Sequence, residues 1–213
     1  VPRLERGGLT VRTVGAGASE LDRLDATAGP AAPRAVLVVG LAGGCEPSLR
    51  PGDVVVGDPV ADRNADSRPT EADAALRARA VRALAAADLR YRVGPLLTVD
   101  AVAATPAEKA GWWRTRGALA VDMESAHVMA WARRAGLPAV SVRAIADGPD
   151  EGVPRDLLRL VGAGGRVGPR AVAGLLARPA LVGAAWRMGR RTRAAMSSLA
   201  RFVQAFVVQA DEP

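Results

Sequence analysis

The sequence is poor in cysteine, histidine, lysine and aromatic residues, and each shortage excludes something. Cys45 is the only cysteine among 213 residues, so no intramolecular disulfide can form and a reducing compartment is the natural setting. One histidine, His127, beside one cysteine cannot build a His/Cys metal site. Aromatics amount to 3%, and with no recognition motif in view the chain does not read as a nucleic-acid binder. Lysine is nearly absent: of the 29 basic residues, Lys109 alone is not arginine. Arginine and alanine in excess fit a GC-rich genome as readily as a function. The net charge of +7 therefore carries little weight by itself, and the crowding of arginines toward the C-terminus carries more. No apolar run approaches the roughly 18 residues of a spanning helix, and no secretory leader is seen. A cytoplasmic protein is expected.

What is present is a half-apolar chain of single-domain length, with strands and helices in alternation. Leu9–Val14 alternates as a strand and runs into Gly15-Ala16-Gly17; a helix over Ser19–Thr27 is expected next. Ala35–Val39 is a continuous apolar run, the mark of a strand buried on both faces, and a glycine turn, Gly40-Leu41-Ala42-Gly43-Gly44, is expected to follow. Asp53–Val56 reads as a short strand, Asp58–Pro69 as a loop and Glu71–Asp88 as an alanine-rich helix. Tyr91–Val99 is strand-like but broken at Gly94-Pro95, and Pro106–Arg116 is a short helix. Ala118–Val121 and Ala139–Ile145 are buried strands, separated by a helix over Met123–Ala135 that stops at Gly136 and Pro138. Short helices over Pro154–Val161 and Pro169–Ala177 precede a long one from Ala180 to about Gln209. This order predicts an α/β fold: three α/β/α layers around a mostly parallel, mixed central sheet. Residues 1–165 read as the catalytic domain, and 166–213 as its helical extension.

In such sheets ligands bind at the carboxyl ends of strands. Gly15–Gly17, Gly40–Gly44, Asp122–Glu124 and Asp147 all fall there. Asp122 suits a helix cap, and His127, one turn beyond Glu124, reads as structural. The run G-L-A-G-G is neither GxGxxG nor a P-loop, so no dinucleotide or ATP cofactor is expected.

Two segments carry a family resemblance. VVGLAGGCEPSLRPGDVVVGD (38–58) and VDMESAHVMAWARRAGLPAVSVRAIADGPDE (121–151) resemble, in order and spacing, the two signatures of the nucleoside phosphorylase/nucleosidase superfamily. The likeness covers roughly Leu9 to Leu160. It implies cleavage of a purine N-glycosidic bond, no cofactor, phosphate as co-substrate and a homo-oligomer. By position it implies that Glu124 binds the ribose hydroxyls, with Met123 packed on the sugar. Asp147 becomes the general acid at the purine N7, and the backbone at Gly15, Gly17, Gly40, Leu41, Ala42 and Gly43 lines the ribose and the anion or water. The chemistry agrees with these roles. Bond cleavage builds positive charge on the ribose, which a carboxylate stabilises, and negative charge on the base, which a proton neutralises. Such acid catalysis contributes on the order of 10²–10⁴-fold, provided burial raises the carboxyl's pKa. Three departures stand out. The family's first strand, ending in glycine and an acid, falls at or ahead of Val1 and Pro2. Leu41 stands where nucleosidases often carry a hydroxyl, and Ala146 replaces a common serine.

The tail, GRVGPRAVAGLLARPALVGAAWRMGRR (165–191), resembles the hopanoid-associated phosphorylase branch. That implies an adenosyl lipid, adenosylhopane, as substrate, with adenine released during bacteriohopanepolyol synthesis. Soluble substrates of the methylthioadenosine or futalosine type are the alternative, and a non-catalytic nucleoside- or lipid-binding protein is a third. In the final helix Leu181, Ala185, Met188, Thr192, Ala195, Met196, Leu199, Phe202, Val203 and Phe206 fall broadly on one face, and Arg187, Arg190, Arg191, Arg201 and Gln204 largely on the other. Two readings follow: a helix packed on the domain or on a partner subunit, or an interfacial helix on an anionic membrane surface at the inner face of the cell membrane.

Overall fold

The computed structural model describes Val11, Thr13, Val14, Leu21 and residues 33–64, 68–152 and 179–208. The expected strand over Leu9–Val14, the glycines Gly15 and Gly17, and the helices over Ser19–Thr27, Pro154–Val161 and Pro169–Ala177 lie wholly or mostly outside the described residues.

Five strands and four helices are described: β1 (Val36–Gly44), β2 (Val54–Asp62), α1 (Ala74–Ala86), β3 (Tyr91–Thr98), α2 (Pro106–Arg116), β4 (Ala120–Asp122), α3 (Ser125–Arg134), β5 (Ala139–Asp147) and α4 (Pro179–Val208). The strands close on themselves in the order β1-β4-β3-β2-β5. The α/β class and the mixed sheet are as expected, and the closure into a barrel is not. β1–β5, β2–β3 and β3–β4 are parallel, whereas β1–β4 and β2–β5 are antiparallel. The connection from β1 to β2, residues 45–53, is one reason. A parallel crossover needs about a dozen residues or more, so β2 returns antiparallel to β5, with Val54 opposite Ala144.

Helices cover opposite faces of β5, so part of the expected layering holds. Val140, Val142 and Ala144 point to α1 and α4, where they pack with Leu84, Leu199, Phe202 and Phe206. Ser141, Arg143 and Ile145 point the other way, toward the interior and α3, whose Val128, Met129 and Ala132 share a cluster with Ile145. A third cluster seats α2 through Trp112 and Trp113 on Leu97, Val99, Ala118 and Val121.

Several boundaries moved for local reasons. β2 runs on through Asp62, so the predicted loop at Asp58 starts late. β3 passes unbroken through Gly94-Pro95. Its register with β2 slips between Gly57 and Val60, opposite Pro95, where the missing N–H would otherwise interrupt a regular ladder. α2 has the predicted ends. Thr105 and Glu108 form a capping box, Pro106 opens the first turn, and Gly117 closes the helix at φ 61°.

The C-terminal helix follows the first of its two readings and packs on the domain. The inward side chains of its second half are core: Ala195, Leu199, Phe202 and Phe206 are buried, and the Phe202 and Phe206 rings lie 5.5 Å apart. Arg79 reinforces the seat by donating to the Phe206 carbonyl at 2.6 Å. Met188 and Met196, assigned by periodicity to the same apolar face, are exposed. The apolar stripe of the second half is therefore largely consumed by the fold, and the first half of α4 carries a continuous exposed run from Trp186 to Arg190. No helix among the described residues is long and apolar enough to cross a membrane.

Candidate active site

The glycine run is not a turn. Gly40 through Gly44 continue β1, paired in parallel with β5 as Gly40↔Arg143 and Gly43↔Asp147. Side chains of β5 cross close over these glycines. A Cβ on Gly40 would stand 1.9 Å from Arg143 Nη1, and one on Gly43 would stand 3.3 Å from Asp147 Oδ2. Between Ala42 and Gly43 the register shifts, and β5 carries one residue more, Ala146. Such a bulge re-aims the residue that follows it, here Asp147.

Arg143 organises the side of the site nearer α3. Its Nε donates to Ser125 Oγ at 2.9 Å and lies 2.7 Å from Asp122 Oδ2 in an ion pair, and its Nη2 lies 3.6 Å from Glu124 Oε2. Ser125 Oγ in turn meets Ser141 Oγ at 2.6 Å. Asp122 is fully buried; it accepts from Thr98 Oγ1 at 2.7 Å and from the Ser125 amide at 3.3 and 3.2 Å. It caps α3, as its sequence position suggested, and it also neutralises Arg143. Glu124 stands at the N-cap position rather than inside the helix, and its side chain does not cap. Its carboxylate faces Arg143. Met123 beside it is half-buried.

Asp147 ends β5, half-buried, with 21% of its side chain exposed. Its partner is Lys109, delivered by α2 and completely buried. The Lys109 ammonium donates to Asp147 Oδ2, to the Gly148 carbonyl at 2.7 Å and to the Glu151 carbonyl at 2.8 Å. Glu151 is itself tied down, accepting from the Gly148 amide at 2.8 Å and pairing with Arg191 of α4 at 2.6 Å. Burial pushes the Asp147 carboxyl above its ordinary range, although Lys109 and Arg191 pull against that shift.

The remaining sequence candidates are placed as follows. Ala42 is buried in the interior cluster. The Leu41 side chain packs on the α1/α4 side, so contact with a ligand from this residue would come from its backbone. His127 sits beside Asp62 of β2, with Nδ1 3.6 Å from its carboxylate. Sequence reasoning gave no role to Arg143 or Lys109. Both had a signal: an arginine inside an apolar strand, and the one lysine in an arginine-rich chain.

Comparison with known proteins places this geometry. Curated proteins give no match. Among solved structures, a protein from Weissella paramesenteroides provisionally assigned as a methylthioadenosine nucleosidase is 26% identical, at a TM-score of 0.52 over 59% of this chain. This chain spans 62% of that protein's length, less than two thirds. Futalosine hydrolase of Helicobacter pylori aligns at 18% identity and TM-score 0.62, covering 83% of this chain and 68% of its own. The 5′-methylthioadenosine/S-adenosylhomocysteine nucleosidase of Neisseria meningitidis, solved with methylthio-immucillin-A, aligns at 20% and 0.62, covering 83% and 70%. At such identities the likeness shows a shared fold. Membership rests on the family model, which matches residues 9–171 and so spans both glycine segments, the Glu124 turn and the Asp147 strand end: the chain belongs to the phosphorylase superfamily.

Proposed function

We propose that the protein cleaves the N-glycosidic bond of a purine nucleoside modified at its 5′ position, of the methylthioadenosine or futalosine type, and releases the base. The observation that carries this reading is Asp147, a carboxyl held above its ordinary pKa by burial and re-aimed by a bulge. Across the strand end, Glu124 is held within reach of Arg143. As the glycosidic C–N bond breaks, its electron pair goes to the base, and the Asp147 proton passes to the ring nitrogen N7. Glu124 accepts from the ribose 2′ and 3′ hydroxyls and stabilises the positive charge developing on the sugar. Met123 packs on the ribose. The backbone of Gly40, Leu41, Ala42 and Gly43 lines the path of the nucleophile. Phosphate fills that role in this reading; no cofactor takes part.

Adenine release from methylthioadenosine and adenosylhopane, and base release from futalosine, each with and without phosphate, tests the proposal. Dependence on phosphate marks phosphorolysis; independence marks hydrolysis. Asp147→Asn should lower kcat by on the order of 10²-fold or more, with substrate binding little changed. Release from none of the substrates would overturn the enzymatic reading in favour of a binding protein. A lipid-linked substrate has one observation in its favour: Trp186, 63% exposed on the outer half of α4, with Arg190 5.0 Å above its ring and Arg187 and Arg193 nearby, all exposed. An aromatic flanked by arginines suits an anionic bilayer interface. Trp186→Ala should then weaken liposome binding and adenosylhopane turnover together, leaving methylthioadenosine turnover intact.

A further inference from the structure

Lys109 is chemically out of place. A chain that uses arginine for every other basic residue keeps one lysine, and that lysine is wholly buried. Three oxygens surround its nitrogen: one of Asp147 and the carbonyls of Gly148 and Glu151. An ammonium has three N–H donors on a compact point charge, so it can satisfy all three. A planar guanidinium presents its donors in a fixed fork and could not converge on them.

We propose that Lys109 is the positioning residue of the proton donor, fixing Oδ2 of Asp147 so that the other carboxyl oxygen carries and delivers the proton. This rests on the reading of Asp147 as the acid. In the reactive state Asp147 is neutral and Lys109 is an ammonium. The O–H bond of Asp147 breaks as an N–H bond forms on the departing base. The carboxylate left behind is paired at once with the ammonium, so donation ends in a compensated ion pair rather than an isolated buried charge. Three other groups face the carboxyl. Arg191 of α4 also favours its ionised form, Glu151 opposes it, and the Cys45 thiol lies within electrostatic range of both Asp147 and Lys109. Burial raises the Asp147 pKa and Lys109 restrains that rise. The lysine therefore sets a carboxyl that is protonated for donation yet able to give its proton up.

The single lysine supplies its own probe. With lysine labelled at Nζ by ¹⁵N, the protein carries one side-chain ammonium resonance. That signal should be protected from solvent exchange and should inflect where Asp147 titrates, and the inflection should vanish in Asp147→Asn. A rapidly exchanging signal, or one indifferent to Asp147→Asn, overturns the proposal, and neither result depends on turnover. Lys109→Met should raise the Asp147 titration midpoint, followed by its carboxyl ¹³C shift. It should also move the alkaline limb of the kcat–pH profile upward while lowering kcat by on the order of 10²-fold. An unmoved midpoint and limb in a folded Lys109→Met protein also overturn it. Absence of turnover in the wild type, by contrast, would count against the reading of the reaction and leave the Nζ result standing on its own.

Discussion

Replacing Arg143 by methionine should cost about 3 kcal/mol of stability. Arg143 and Asp122 form a pair 2.7 Å apart, with side chains 5% and 0% exposed. Removing one partner of a buried pair costs roughly 3–5 kcal/mol, most of it from the charge left uncompensated. Asp122 keeps its bonds from Thr98 Oγ1 and the Ser125 amide, which places the loss at the lower end. Asp122→Asn strands the cation instead, with Glu124 3.6 Å from Nη2 as the nearer remaining anion. The double variant removes both charges and should lose less than the sum, by a coupling of roughly 1–3 kcal/mol. Urea unfolding followed by far-UV circular dichroism reads these values, with the m-value checked for constancy. Heating should show Arg143→Met melting about 6–12 °C earlier, at the 2–4 °C per kcal/mol usual for this chain length. A loss below about 1 kcal/mol, or strict additivity, would refute the view that this ion pair holds β5 to the β4–α3 turn.

Four further outcomes follow. Gly40→Ala drives a methyl into the Arg143 guanidinium and should lower both melting temperature and turnover, and Gly40→Ala/Arg143→Met should restore part of the lost stability. Phe202→Ala should cost about 3–5 kcal/mol in urea, because the ring is fully buried between α4 and β5; a loss under 1 kcal/mol would detach α4 from the core. Burial pushes the Cys45 thiol up to about 12, so at pH 9 its thiolate fraction is on the order of 10⁻³ against roughly one half in urea, and native alkylation should be slower by on the order of several hundred-fold. Asp147 is raised above its ordinary value of 3.8, so the unfolded chain loses this proton first as pH rises. Its contribution to stability therefore falls from about pH 4 up to the folded midpoint and is flat above it, and Asp147→Asn should remove that slope from a pH series of unfolding midpoints.

The sequence made much of this legible through local rules. Pro106 after Thr105, with Glu108 three residues on, marks α2 to the residue, because capping is decided within one turn. Glu124 and Asp147 could be placed at strand ends because apolar runs and stop signals bracket them. Closure of the barrel was not legible: it depends on which edges meet, and only the short β1–β2 connection hinted that β2 must run antiparallel to β5. The glycine run misled because glycine marks two situations, a turn or a close crossing, and sequence alone does not separate them. In α4, periodicity correctly collected Leu199, Phe202 and Phe206 on one face. It also collected Met188, on the half the domain does not cover, and Met196, which is exposed although its neighbour Ala195 is buried.

The two family segments, far apart in sequence, are sterically one object. β1 contributes absence and β5 contributes side chains: Gly40 makes room for Arg143, Gly43 for Asp147, and a Cβ on Gly44 would stand 3.1 Å from Ile145 Cγ2. That complementarity also explains the difference between the two buried cations. Arg143 holds a permanent charge in a fork that reaches Asp122 and Ser125 and leaves a second nitrogen near Glu124, which suits a pair whose purpose is to stay ionised. Lys109 meets Asp147 with a point charge on a carboxyl that burial drives toward neutrality. In the proposed reaction, a carboxylate on the ribose hydroxyls calls for the first kind of neighbour, and a carboxyl that releases a proton calls for the second. The glycines on β1 leave room for Arg143 and Asp147, which stand four residues apart on β5.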